Sequence, residues 1–169
     1  MSFVLLAVLL VVIPVYAVQP PDDFAKSGVS VGVVVEDLNK SLDFYLNVIG
    51  MVKTSEFAVD ATKAKELGLS NGNSFDVKVL KLENSESAPE WKLMSFGKKA
   101  THPKQNYVPD DNGMQYITIF VKTMKPLLER IKQHDVKTLG TSPTMLSETN
   151  QFVLVQDPDG NFIEIIGPK

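Results

Sequence analysis

Glu164 stands in Phe162-Ile163-Glu164-Ile165-Ile166, an apolar run that reads as a short strand with a lone carboxylate at its centre. Three chemistries suit such a group: ligating a cation, acting as a general base, or neutralising a buried ammonium or guanidinium. Left ionised and alone in apolar surroundings it is strongly unfavourable, so a partner is expected. Histidine, the commonest companion in such sites, occurs only as His102 and His134. The first falls in a polar connector and the second near the end of a helix, where exposure is expected. Cysteine is absent, which excludes disulfides, thiolate metal sites, cysteine nucleophiles and an N-terminal lipid-modified cysteine.

The position of Glu164 is set by the turn before it. In Asp157-Pro158-Asp159-Gly160, proline suits the second turn position, aspartate the third and glycine the left-handed position that follows. That register puts Phe162, Glu164 and Ile166 on one strand face, and Ile163 and Ile165 on the other. The turn is read as structural, joining the strands "QFVLVQD" and "FIEIIGP".

Upstream, "VGVVV" reads as a β-branched strand. Asp37 is a candidate N-cap, Leu38, Leu42, Tyr45, Leu46 and Ile49 mark one helical face, and Gly50 closes the helix. "MVKTSEF", "FDVKVLKL" and "EWKLMSFG" follow as strands, with "DATKAKELGL" ambiguous between helix and loop. A polar connector over residues 98–112 contains "KQNYVPDDNG", which is able to lid a cleft but is commonly only a linker. The order then begins again: "YITIFV" as strand and "KTMKPLLERIKQHD" as helix, with Pro126 in its first turn. Setting Ser30 against Tyr116 aligns the two halves without a gap for about twenty positions, an internal repeat. Trp91, Phe44 and Tyr45 are read as core or rim residues.

The chain of 169 residues suits one domain, and its net charge of -3 offers no basic surface for nucleic acid. An uncharged apolar run from Phe3 to about Val15, followed by Val15-Tyr16-Ala17, is expected to be a signal peptide cleaved near Ala17; the alternative, an uncleaved anchor, is disfavoured because a span needs about 20 apolar residues and this run is shorter and carries Pro14. Residues 1–17 would then be removed and residues 18–29 would form a leader, leaving an exported protein, periplasmic or extracellular, with no membrane attachment after cleavage.

"VGVVVEDLNKSLDFYLNVIGM", followed far downstream by "DPDGNFIEIIGP", resembles the vicinal oxygen chelate (VOC) superfamily, which includes glyoxalase I, bleomycin-resistance proteins and extradiol dioxygenases. The resemblance covers residues 30–168. It implies an α+β fold of two tandem βαβββ modules, about 30–97 and 114–168, forming a curled half-barrel sheet around a shared cleft. It also implies a divalent metal on the cleft floor, held from equivalent strands of both modules. The positions matching the family's ligands are Ser30, Lys92 (in "WKLM", where the family pattern reads "IELL"), Tyr116 and Glu164. Only Glu164 is a good ligand. Serine and tyrosine are poor ones when neutral, and a lysine ammonium has no free lone pair. No metal is therefore expected, with Glu164 its ligand if one binds.

Instead the repeat is expected to bring Lys92 and Glu164 together as an ion pair, with Ser30 and Tyr116 adding hydrogen bonds. The preferred function is metal-independent binding of a small molecule, such as one bearing a carboxylate or carbonyl, at Ser30, Lys92, Tyr116 and Glu164. Catalysis, with Glu164 as base and Lys92 polarising a carbonyl, is not singled out by any pattern. One alternative is a metal-dependent lyase or oxidoreductase of the glyoxalase/dioxygenase type with ligands at other positions. Another is a structural or interaction domain closed by the Lys92–Glu164 pair. Glyoxalase I activity is disfavoured by the missing ligands and by a substrate that belongs to the reducing cytosol. Extradiol cleavage would need two histidines beside the carboxylate. Whether the cleft closes within one chain or in a homodimer is left open by the resemblance.

Overall fold

The computed structural model describes residue 25 and residues 28–99 and 103–169. The expected signal peptide, most of the leader and His102 lie outside the described residues. Among the described residues no helix is long and apolar enough to cross a membrane.

The first module runs β1 (Ser30–Val34), α1 (Leu38–Asp43), β2 (Val52–Val59), α2 (Ala61–Glu66), β3 (Phe75–Lys81) and β4 (Glu90–Met94). The second runs β5 (Tyr116–Phe120), α3 (Lys125–Gln133), β6 (Thr144–Met145), β7 (Asn150–Gln156) and β8 (Phe162–Pro168). Each forms a four-stranded sheet, ordered β1-β4-β3-β2 and β5-β8-β7-β6. The first and last strands of each module are parallel, and the other pairings antiparallel. The expected repeat is thus present in topology as well as order. It places Gly32 opposite Lys92 in one sheet and Thr118 opposite Glu164 in the other.

Local chemistry explains the helices. Asp37 caps α1 by accepting from the Asn39 and Lys40 amides. The helix widens into π-type turns over Phe44–Ile49 and stops at Gly50, whose φ of 91° is left-handed. The ambiguous "DATKAKELGL" contains α2, capped by Asp60 through the Lys63 amide at 2.9 Å.

Strand alternation separates two faces. The outer face supplies Val33, Leu93, Ile119, Val153, Ile163 and Ile165 to one apolar core shared by both modules and closed by residues of α1 and α3. Trp91 and Tyr45 belong to it, with ring centroids 5.6 Å apart. The inner face of the first sheet carries a smaller cluster, in which Ala64 of α2 covers Phe75, Val77 and Val79.

The two modules are tied by polar side chains that cross between them. Asp157 is 5% exposed and accepts the Tyr45 hydroxyl at 2.8 Å, the Asn161 side-chain amide at 2.9 Å, and the Asn161 and Asp159 backbone amides at 2.8 and 3.0 Å. Asp159 accepts the Glu36 amide at 2.8 Å and the buried Ser41 hydroxyl at 3.1 Å. In the other direction Arg130 of α3 donates to the Val48 and Ile49 carbonyls at 2.8 and 3.0 Å, capping the end of the first helix with a cation. The Asp-Pro-Asp-Gly turn therefore does more than set strand register: its carboxylates dock the second module on the first.

Burial pushes the Asp157 carboxyl above its ordinary value, the Asn161 and Tyr45 hydrogen bonds opposing it. Burial and the neighbouring Asp157 charge push the Tyr45 phenol up as well. A carboxyl raised in this way holds its proton more tightly folded than unfolded. Its contribution to stability is complete below its ordinary value of 3.8 and is lost as pH rises through the folded value. Asp157→Asn is expected to flatten the plot of unfolding free energy against pH across that window. Tyr45→Phe is expected to cost about 1–2 kcal/mol in urea unfolding, and Asp157→Ala, which strands the buried hydroxyl and the turn amides, about 3 kcal/mol. The two losses should not add in the double variant, because a phenylalanine in place of Tyr45 leaves no hydroxyl to strand.

Candidate functional site

Glu164 lies half-buried on the inner face of β8, cross-strand from Leu154 on β7 and from Thr118 on β5. The Thr118 hydroxyl donates to its Oε1 at 2.9 Å. A β-branched threonine on the neighbouring strand is thus the partner that the apolar run called for.

Lys92 lies on the inner face of β4, but its ammonium sits 3.2 Å from Glu90 Oε2. The same oxygen accepts the Ser30 hydroxyl at 2.7 Å. The expected Lys92–Glu164 ion pair is not formed. The physical reason is the period of a strand: residues two apart share a face, so Glu90 stands beside Lys92 on its own strand. That pairing was legible in "EWKLM" and is the feature that the sequence reading passed over.

Tyr116 is about half exposed, opposite Phe162, and lines a cavity of about 200 Å³ between β1 and the β5–β8 edge. The four sequence-selected residues therefore divide into three places. Ser30 and Lys92 meet at Glu90, Glu164 meets Thr118, and Tyr116 stands at the seam between the modules. Trp91 is core, as read, its ring packed against that of Tyr45. His134 is exposed, as expected.

A divalent metal of the kind that the resemblance implies does not fit this donor set. Among the described residues no three of His, Cys, Asp and Glu are grouped so as to hold an ion. At the matching positions the protein supplies a hydroxyl bound to a carboxylate, an ammonium, a phenol and one carboxylate bound to a threonine. An ammonium at such a centre repels a cation, and one carboxylate is too few ligands.

A larger space than the one beside Tyr116 lies elsewhere on the inner face. A cavity of about 760 Å³ opens over the second sheet, with the part-exposed Phe152 and Leu154 as its floor and the fully buried Phe162 beneath. One wall is the connector at residues 106–109, the other the segment 137–144 that follows α3. The connector is fixed by glutamines: Gln105 donates to Gln115 at 2.6 Å, and Gln156 donates to the Gln105 carbonyl at 3.1 Å. The second wall is pinned to β7 by Leu139 N to Leu154 O at 2.8 Å and by Leu154 N to Ser142 Oγ at 3.2 Å. The wall at 137–144 carried no motif that sequence reasoning could isolate; the connector was recognised as able to lid a cleft.

Known proteins bear on the fold and family. The Glyoxalase/Bleomycin resistance protein/Dioxygenase superfamily matches residues 29–165. No curated protein sequence matches. Among solved structures, a glyoxalase family protein from Bacillus cereus superposes with a TM-score of 0.69 at 14% identity, covering 89% of this chain and 98% of that one. The trypanothione-dependent glyoxalase I of Leishmania major gives 0.56 at 22% identity, covering 85% and 87%. A glyoxylase/bleomycin resistance protein/dioxygenase domain from Frankia sp. gives 0.54 at 18%, covering 85% and 90%. At these identities the structural likeness speaks for the fold alone. With two βαβββ modules in place and the family match spanning nearly all of both, the chain belongs to the glyoxalase/bleomycin resistance protein/dioxygenase superfamily.

Proposed function

We propose that the protein is an exported, metal-independent binder of small molecules, with its ligand seated over the inner face of the second module. The carrying observation is the cavity of about 760 Å³, within the range of small-molecule sites, with an aromatic and aliphatic floor and polar groups on its walls. The polar residues at the family's ligand positions support the same reading, since Ser30, Lys92 and Glu164 are engaged with other protein groups. In this reading Phe152 and Leu154 exclude water from an apolar body, and the pinned walls leave little loop ordering to oppose binding. Export rests on the apolar leading segment and the small residues at Val15-Tyr16-Ala17.

A neutral environment-sensitive dye, N-phenyl-1-naphthylamine, is expected to bind with a saturable rise in fluorescence. Leu154→Trp, which fills the cavity from its floor, is expected to abolish that rise while the protein stays folded by circular dichroism. Dye binding that Leu154→Trp leaves intact would remove the cavity as the site.

Protein equilibrated with Zn²⁺, Ni²⁺, Fe²⁺ or Mn²⁺ and then desalted is expected to retain far less than stoichiometric metal. A stoichiometric ion, lost on Glu164→Ala, would overturn the metal-independent reading.

Lys92→Met separates a structural role from a binding one. The Lys92–Glu90 pair is partly exposed, so its loss is expected to shift unfolding stability by no more than about 1 kcal/mol and to leave dye binding unchanged. Loss of folding would assign Lys92 a structural weight that its surroundings do not give it.

A further inference from the structure

We infer that the cavity of the second module takes a monoanion with an apolar body, a carboxylate on an alkyl or aryl skeleton, with its charged end held at the rim by Lys137. This rests on the reading of that cavity as the ligand site and names the ligand's class.

The charges around the cavity decide it. Among the described residues no carboxylate lines the space, and Lys137 is the one lining residue with a full positive charge. Lys137 is exposed and forms none of the ion pairs among the described residues. The hydroxyls nearby are largely committed. Ser142 donates to the Leu139 carbonyl at 2.7 Å, and Thr144 donates to the Thr141 carbonyl at 3.1 Å. Asp110, the nearest acid on the connector wall, is held by the Asn106 and Tyr107 amides at 2.7 and 2.9 Å.

The position of Lys137 is built, not incidental. Asp135, at a left-handed φ of 52°, turns the chain after α3. Thr138 then bridges to Val155, and Leu139 bonds to Leu154. Lys137 precedes these anchors directly, so its backbone is fixed at the edge of the opening, within the reach of its ammonium. Glu164 lies on the same sheet face, directly across from Leu154 at the edge of the floor and turned to Thr118. A ligand anion seated there would face the Glu164 carboxylate, so its own carboxylate belongs at the rim and its apolar end on Phe152 and Leu154.

The test is displacement of N-phenyl-1-naphthylamine by decanoate, decanol and decylamine, each below its aggregation limit. Decanoate is expected to displace the dye at a concentration about five-fold lower than decanol, with decylamine weakest. Lys137→Gln should erase the advantage of decanoate and leave decanol unchanged, and Lys137→Arg should restore it. Decanol matching decanoate in the unmodified protein, or decanoate insensitive to Lys137→Gln, would overturn the anion assignment while leaving the cavity as a site. No dye binding at all would overturn the cavity reading and this inference with it.

Discussion

The structure depends on two carboxylates in one turn. Asp157 and Asp159 reach from the second module into the start and middle of the first module's helix, where they meet the Glu36 amide, the Ser41 hydroxyl and the Tyr45 hydroxyl. Arg130 returns the contact by capping the far end of the same helix. The start of that helix is capped by its own Asp37, its far end by the other module's Arg130, and the shared apolar core fills the space between. A buried carboxylate is unfavourable unless fully hydrogen-bonded, and Asp157 meets that condition with donors from both modules. Separating the modules would expose the core and strand these groups together, so the pairing specifies a single arrangement of two otherwise similar halves.

That arrangement accounts for the polar residues on the inner face. With the modules held through their outer faces and helices, no inner-face charge is needed to join them. Lys92 and Glu164 are each satisfied within their own sheet, by Glu90 and by Thr118. The family's shared metal position becomes two small local clusters, one in each module. Each uses a partner that strand geometry places within reach, a residue two positions along the same strand or one directly across.

Much of this was legible in the residues, and the boundary has a physical origin. The Asp37 cap, the glycine at 50, the Asp-Pro-Asp-Gly hairpin and the strand alternation are local signals, and each is observed where its chemistry places it. The repeat from Ser30 against Tyr116 carried the topology as well. The Lys92–Glu164 pair came instead from superposing modules, which locates backbones but not the reach of side chains. Glu90 was nearer, and proximity decides a partly exposed ion pair. The docking role of Asp157 was invisible because its partner Tyr45 lies 112 positions away and reads, correctly, as core. Likewise the two-residue β6 and the 137–144 wall have no periodicity to detect.

The asymmetry between the modules explains why the cavity belongs to the second. Val77 and Val79 on β3 occupy the places that Phe152 and Leu154 occupy on β7, since each set lies opposite the corresponding positions of β4 and β8. In the first module the link between β2 and β3 contains α2, and Ala64 presses onto those valines, leaving them 2% and 3% exposed. In the second module the link between β6 and β7 is only residues 146–149, too short for a helix. Among the described residues nothing equivalent to α2 covers Phe152 and Leu154, and both are part-exposed. An apolar floor left open between two pinned walls favours an apolar occupant, because displacing water from it is the largest favourable term available there. The same repeat that built two alike sheets thus produced one covered face and one open face, and the difference lies in the length of a single connection.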